Sequence, residues 1–431
     1  YGVYVDPLAK GVSNNFAFYS AGDTPSRFGA IALGTNAAIS NWPAGFQGTE
    51  MAWLVWPDRN TNYYAQSADH SDGITNTSFS AVMNYILSGP SANGVVIELA
   101  NTTLPDGSIV FYYVDAPIHV GGHICVHIRG NGGPHIAVAS EYRGSLVEIG
   151  TTNKMLGQTR ITGFSIVGGP PENYDTDNTN AFLNFADAND VEVANCYFSG
   201  LKGPAISIGT GLAGGQKNVS IHDNWFYSSR FVHPFIHFSV PEGANAVWGA
   251  YIVNNYFDAL SNAPCIDMES GAVRHVSIVD NIFNKYGYYH GTGIVVRSGY
   301  SHNISGNQFI SFATDSLPIS FQPAASNDFR SIVANNSFGY STPTNGIYLN
   351  ADAHGVYVFG NSMPQAMIRF DGPNHGGYSR DFSAVPTNGG PVIASSFQLG
   401  TNAAVSNWPA VPASPAASVV VDADYVVQAG D

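Results

Sequence analysis

The chain has 431 residues, 44% hydrophobic and 13% aromatic, enough to build a large core. Only 11% are charged, which excludes a charge-rich helical protein and leaves Asn, Ser, Thr, Tyr and Gly to form the surface, as is common in secreted β-proteins. With 16 Lys and Arg against 31 Asp and Glu the net charge is −15, so the basic face of a nucleic-acid binder is missing, and no apolar run reaches the roughly 18 residues of a membrane span.

The first residue is Tyr1 rather than Met, which is read as a removed leader or tag. Near the N-terminus stands LGTNAAISNWPA (33–44), which returns with one conservative change at 399–410. The offset of 366 residues is far too long for a repeat period, so the two copies are expected to form similar caps or edge strands at the two ends. The chain is divided into an N-terminal extension or cap (1–67), a coil region (68–385) and a C-terminal extension (386–431), in which SVVVDADYVV (418–427) reads as a strand. Cys125, Cys196 and Cys265 each sit in an apolar stretch without metal-ligand spacing, so they are expected in the core without a required disulfide. The acidic loop PPENYDTDNTN (170–180) lacks calcium-loop spacing and reads as solvated; no metal or cofactor is expected.

From residue 195 onward one motif returns: Asn, any residue, then a large apolar residue. It is placed at Asn195, Asn224, Asn255, Asn281, Asn307, Asn336 and Asn361, with spacings of 29, 31, 26, 26, 29 and 25 residues. Such periods indicate a solenoid. The segments between are short alternating apolar runs broken by Gly, Asn and Pro, without a sustained helical period, so the coils are β. The expected fold is all-β, a right-handed parallel β-helix. In it each coil stacks its aromatic inside, and the Asn takes a left-handed turn and bonds to the next coil. The ladder is therefore scaffold.

A second column follows each Asn by about a dozen residues. Ile206, Ile236, Ile266, Ile294, Ile319, Ile347 and Ile368 are predicted to point inward. Strand alternation then turns Ser207, His237, Asp267, Val295, Ser320, Tyr348 and Arg369 outward, with Gly209, Ser239, Glu269, Arg297, Gln322, Asn350 and Asp371 beside them. A scaffold needs no such chemical variety, so this face is the candidate site. Asp267 and Glu269, two residues apart on one strand, would have Cα atoms about 6.6 Å apart, within the span used by paired carboxylates in glycosidic cleavage. His237 is expected one coil from Asp267, and Arg297 one coil from Glu269, where it would hold that carboxylate or clamp a sugar carboxylate. The loop KYGYYHGTG (285–293) supplies Tyr286, Tyr288, Tyr289 and His290 for stacking on sugars, and RFVHPF (230–235) adds Arg230 and His233. Gln322 and Tyr348 complete the substrate-binding set.

Residues 68–95, ADHSDGITNTSFSAVMNYILSGPSANGV, resemble the opening segment of pectate-lyase-like β-helix proteins. There an Asp-Gly turn precedes a short amphipathic helix that caps the solenoid, and a strand (here GVVIELA) and repeating coils follow. The resemblance covers roughly residues 68–385. It implies the fold, a polysaccharide substrate, secretion and, as in several members, a homotrimer. The superfamily includes polysaccharide lyases, glycoside hydrolases, inulin fructotransferases and phage tailspikes. NVSIHDNWFYSSRFVHPFIHF (218–238) looks something like the pectate lyase segment with a catalytic Arg, which implies Arg230 as base, with His237 near where a second Arg is expected. The preceding coil, GLKGPAISIG, lacks the Asp residues that hold calcium in those lyases, and the polygalacturonase signatures are absent. PCIDMESG (264–271) resembles the carboxylate-bearing coil of inulin fructotransferases. The favoured expectation is hydrolysis or internal glycosyl transfer by Asp267 and Glu269. The alternatives are a metal-independent lyase using His237, Arg230 or a tyrosine such as Tyr288, and a non-catalytic glycan-binding tailspike or adhesin module.

Overall fold

The computed structural model describes residues 51–370, apart from short internal stretches at 59–61, 70, 90–93, 104–106, 122–124, 140–141, 143, 151–157, 169–179, 187–188, 202, 210–216, 229–232, 241–246, 271–272, 288–289, 326, 340–342, 344 and 363–366. Both dodecamers, the C-terminal strand-like segment and nearly all of the acidic loop lie outside the described residues.

The chain is a right-handed parallel β-helix. Three sheets of 13, 9 and 10 strands run along it, and successive coils add one strand to each in turn. Here the first sheet is the one holding Val95–Leu99, the second the one holding Tyr112–Val114, and the third the one holding Ile118–Val120. At the N-terminal end the first sheet is extended by Met51–Pro57, parallel to Val95–Leu99, and then by the antiparallel strands Tyr63–Ser67 and Gly73–Asn76. The helix Phe79–Ser88 closes that end. Ser78 caps it by accepting a hydrogen bond from the Ala81 N–H, and its apolar face buries Phe79, Val82, Met83, Ile86 and Leu87. Phe79 packs on Tyr63 and Tyr112 with centroids 5.5 and 4.9 Å apart. The predicted capping helix is thus in place.

Between the first and second sheets runs the ladder. Asn224, Asn255, Asn281, Asn307, Asn336 and Asn361 are buried. Each from Asn255 onward offers its Oδ1 to both the backbone N–H and the Nδ2 of the Asn one coil earlier, as from Asn255 to Asn281 at 2.9 and 3.0 Å. Each Nδ2 also donates to a backbone carbonyl of the preceding coil, as from Asn281 to Ile252 at 2.8 Å. The left-handed turn is made by the residue before: Asp223, Asn254, Asp280 and Asn335 have φ near 55° and Gly306 and Gly360 near 70°. Two neighbours therefore share the tasks expected of one.

Asn195 belongs to the second group, with φ 55°, and Cys196 holds the ladder position, its N–H donating to Asn224 Oδ1. The predicted seventh ladder Asn is corrected accordingly. The sequence carries the signal, because Phe198 lies three residues after Asn195, whereas Phe226 lies two after Asn224.

Two residues beyond each ladder position from Cys196 to Asn336, the rings of Phe198, Phe226, Phe257, Phe283, Phe309 and Phe338 stack at 4.7–4.9 Å with interplanar angles of 3–10°. That distance is the inter-strand spacing, so the stack is the sheet's own period written in aromatics. None of the three cysteines is in a disulfide; Cys125 is half-buried rather than in the core, whereas Cys196 and Cys265 are buried, which pushes the Cys196 thiol up to about 12 and Cys265 to about 11.

Candidate functional site

The third sheet has the predicted register. Ile206, Ile236, Ile266, Ile294, Ile319, Ile347 and Ile368 align strand by strand and point inward. The outward column Ser207, His237, Asp267, Val295, Ser320, Tyr348 and Arg369 aligns in the same way. In the column beside it the pairing shifts: Ser239 pairs with Ser270, and Glu269 stands out of register where the expected sequence of partners placed it opposite Ser239.

Four charged or titratable side chains meet here, in crossed pairs. Arg297 Nε donates to Asp267 Oδ1 at 3.1 Å and Nη2 to Oδ2 at 3.2 Å, a fork that occupies both oxygens. His237 Nε2 and Glu269 Oε2 lie 2.7 Å apart. The expected partners were the reverse, Arg297 with Glu269 and His237 beside Asp267. Backbone register does place His237 next to Asp267, but the long arms of Arg297 and Glu269 reach diagonally, and the shifted register at Glu269 turns it toward His237. Asp267 is 8% exposed, whereas the Glu269 side chain is 53% exposed. The pinned carboxylate is thus sheltered and the His-bound one faces solvent.

His233 joins from the turn before His237. Burial, and secondarily the charge of His237, hold its imidazole below the usual histidine range. Gln322 Nε2 donates to Ser320 Oγ at 2.5 Å on the same sheet, and the Arg369 guanidinium lies 5.3 Å from the Tyr348 ring. Arg230, Tyr288 and Tyr289 lie outside the described residues.

Two predicted sugar contacts have partners of their own. The Tyr286 hydroxyl donates to Asp258 Oδ2 at 2.8 Å on the outward face of the second sheet. Burial, then that carboxylate, raise the Tyr286 phenol, and burial raises Asp258. His290 pairs through Nδ1 with Asp315, and its backbone N–H donates to Asn262 Oδ1 at 3.0 Å. The side chain of Tyr286 is therefore engaged with the second sheet's face, not with the Arg297 coil that follows it in sequence. Among the described residues no group of three or more His, Cys, Asp or Glu has the arrangement of a metal site.

Two features escaped the sequence reading. Arg274 is sandwiched between rings, with its guanidinium 4.7 Å from Trp248 and 4.9 Å from Tyr300. The second sheet also presents a column of aromatics, Tyr197, Trp225 and Tyr256. These occupy the "any residue" position after the ladder residue, which is an outward position by strand alternation and so was legible.

No protein-family model matches the sequence, and no curated protein matches it significantly. A comparison with solved structures found two matches. The alginate lyase from Paenibacillus sp. str. FPU-7 superposes with a TM-score of 0.51 at 15% identity, over 68% of this chain and 96% of that one. A protein described as Geobacillus virus E2 ORF18 superposes with a TM-score of 0.35 at 11% identity, over 70% of this chain and 59% of that one. The first likeness is one of fold alone, the parallel β-helix.

Proposed function

We propose that the protein cleaves an acidic polysaccharide by β-elimination on the outward face of the third sheet, with His237 as base. The His237–Glu269 pair carries this reading. A carboxylate on Nε2 fixes the imidazole's tautomer and orientation and leaves Nδ1 to take a proton. The uronate carboxylate must be neutralised before the adjacent carbon gives up its proton. Arg297 stands one coil away, oriented by Asp267, and a guanidinium has more N–H donors than that fork uses. His237 would take the proton from the carbon next to the carboxylate as the bond to the glycosidic oxygen breaks. The electron pair forms the ring double bond, and the leaving oxygen takes the proton back from the imidazolium. Gln322, Tyr348 and Arg369 would hold sugars along the same face, and Arg369 and Arg297 offset locally the repulsion that a net charge of −15 sets against a polyanion.

A second reading, hydrolysis by Asp267 and Glu269, is favoured by their placement two residues apart on the strand Ile266–Ser270. Against it, Asp267 is sheltered and both its oxygens are engaged by Arg297. Alginate is the first probe because the fold is shared with an alginate lyase. The test is to incubate the protein with alginate, polygalacturonate and neutral glycans and to weigh the products. Fragments that gain no water and absorb in the ultraviolet support elimination. Fragments that gain one water per cut refute it in favour of the carboxylate pair.

A further inference from the structure

We infer that the outward face of the second sheet carries a separate carbohydrate site, which holds a neutral polysaccharide chain on the rings of Tyr197, Trp225 and Tyr256. The three rings occupy one position on successive strands, with centroids 5.6 and 5.5 Å apart and edge-to-face angles of 88° and 71°. Trp225 is 49% exposed, an unfavourable place for so large an apolar side chain without a ligand to cover it. The rings line an open groove of about 590 Å³, a size typical of ligand clefts. It runs along the solenoid from Gly133 to Ile282 and includes none of the third-sheet cluster. At about 4.8 Å per coil, its five steps span roughly 24 Å, the length of a short oligosaccharide rather than a single sugar.

Beside the rings runs a row of short polar side chains, Asn195, Asp223, Asn254 and Asp280. Each has a left-handed backbone and is exposed at the corner. The row is partly pre-organised: Asn254 Nδ2 donates to Asp223 Oδ1, and Asp223 Oδ2 lies 2.8 Å from His222 Nδ1. A column of edge-to-face rings flanked by amide and carboxylate acceptors matches the two faces of a pyranose, an apolar C–H face and an edge of hydroxyl donors. The two carboxylates and the overall charge select against polyuronates and nucleic acid, which leaves a neutral glycan. A single outward column would bind one chain lengthwise, in steps set by the coils. The inference stands apart from the proposed cleavage reaction, because neutral-glycan binding needs neither His237 nor Glu269.

The test titrates the full chain with cellohexaose, mannohexaose and xylohexaose, following tryptophan fluorescence and heat. The expected result is saturable binding of at least one, weakened on the order of tenfold or more by Trp225→Ala at an unchanged melting temperature. His237→Ala should leave this binding intact. Tyr256→Ala provides the same comparison if Trp225→Ala does not fold. Binding of none of the three hexaoses, or binding unaltered in both aromatic variants, overturns the inference. So does shielding of Trp225 from acrylamide in the sugar-free chain, which would mean that another part of the chain or a second copy already covers the groove.

Discussion

Arg297 is the residue on which the third-sheet cluster turns. Its fork satisfies both oxygens of a carboxylate that is 8% exposed. Arg297→Ala would leave that carboxylate without its partner. Since the Arg297 side chain is itself 38% exposed and solvent can partly compensate, a loss of about 1–2 kcal/mol in urea unfolding is expected, with a smaller loss for Asp267→Asn. Histidines held neutral by burial add to the loss of stability in acid. Burial lowers His302 to about 4, with the charge of His275 adding to the shift and a hydrogen bond to the Ser298 carbonyl opposing it. His127, His135 and His233 are lowered as well, each chiefly by burial. A folded-state pKa below the unfolded value means the folded chain prefers the neutral ring. The stability this contributes is complete above the unfolded value near 6.5 and is lost as pH falls toward about 4. For His302 the contribution is about 3 kcal/mol, and His302→Leu should flatten the unfolding free energy over that window in a pH series. The His237–Glu269 and Arg297–Asp267 partnerships were not legible in the sequence. Alternation predicts which side chains face outward, but not which long side chain reaches diagonally, nor where a register shift falls.

The coil is the element that the sequence spells most openly. Its inward isoleucines, stacked phenylalanines and ladder asparagines recur because each coil must satisfy the same corner and fill the same core. Asn281 shows what a ladder position does: its Oδ1 accepts two hydrogen bonds from Asn255, and its Nδ2 donates to Ile252, Val279 and Asn307. Asn281→Ala strands buried donors on Asn255 and a buried carbonyl on Ile252, so it is expected to cost about 2–4 kcal/mol, read as a lower denaturation midpoint with an unchanged slope. Asn195→Ala should cost much less, because that side chain is exposed and Cys196 fills the ladder position. The one-residue error at this coil came from matching the Asn rather than the Phe. The aromatic anchors the register, because only a ring at the right position can join the stack. Lys285 is a buried group the sequence did not flag. It is fully shielded, donates to the Ser261 and Ala263 carbonyls, and has its pKa lowered by burial. It ties the turn before Cys265 to the core and takes no part in the proposed chemistry.

Across the described residues the coils place different chemistry on different faces of one solenoid. The third sheet gathers His237, Glu269, Asp267 and Arg297, while the second presents an aromatic column on another side of the same coils. The fold was legible because repetition makes its signal additive over many coils. The candidate site was legible only as a face, since chemical variety in an otherwise uniform column sets that face apart without stating a reaction. The most direct measurement compares His237→Ala and Glu269→Gln with the parent chain, reading ultraviolet-absorbing unsaturated products from alginate and polygalacturonate at matched melting temperatures. The account predicts that the parent forms such products, that His237→Ala loses 10²-fold or more, roughly the contribution of a general base, and that Glu269→Gln falls in between. Product formation that is unchanged in His237→Ala, or no unsaturated product from either polymer in the parent, would contradict it.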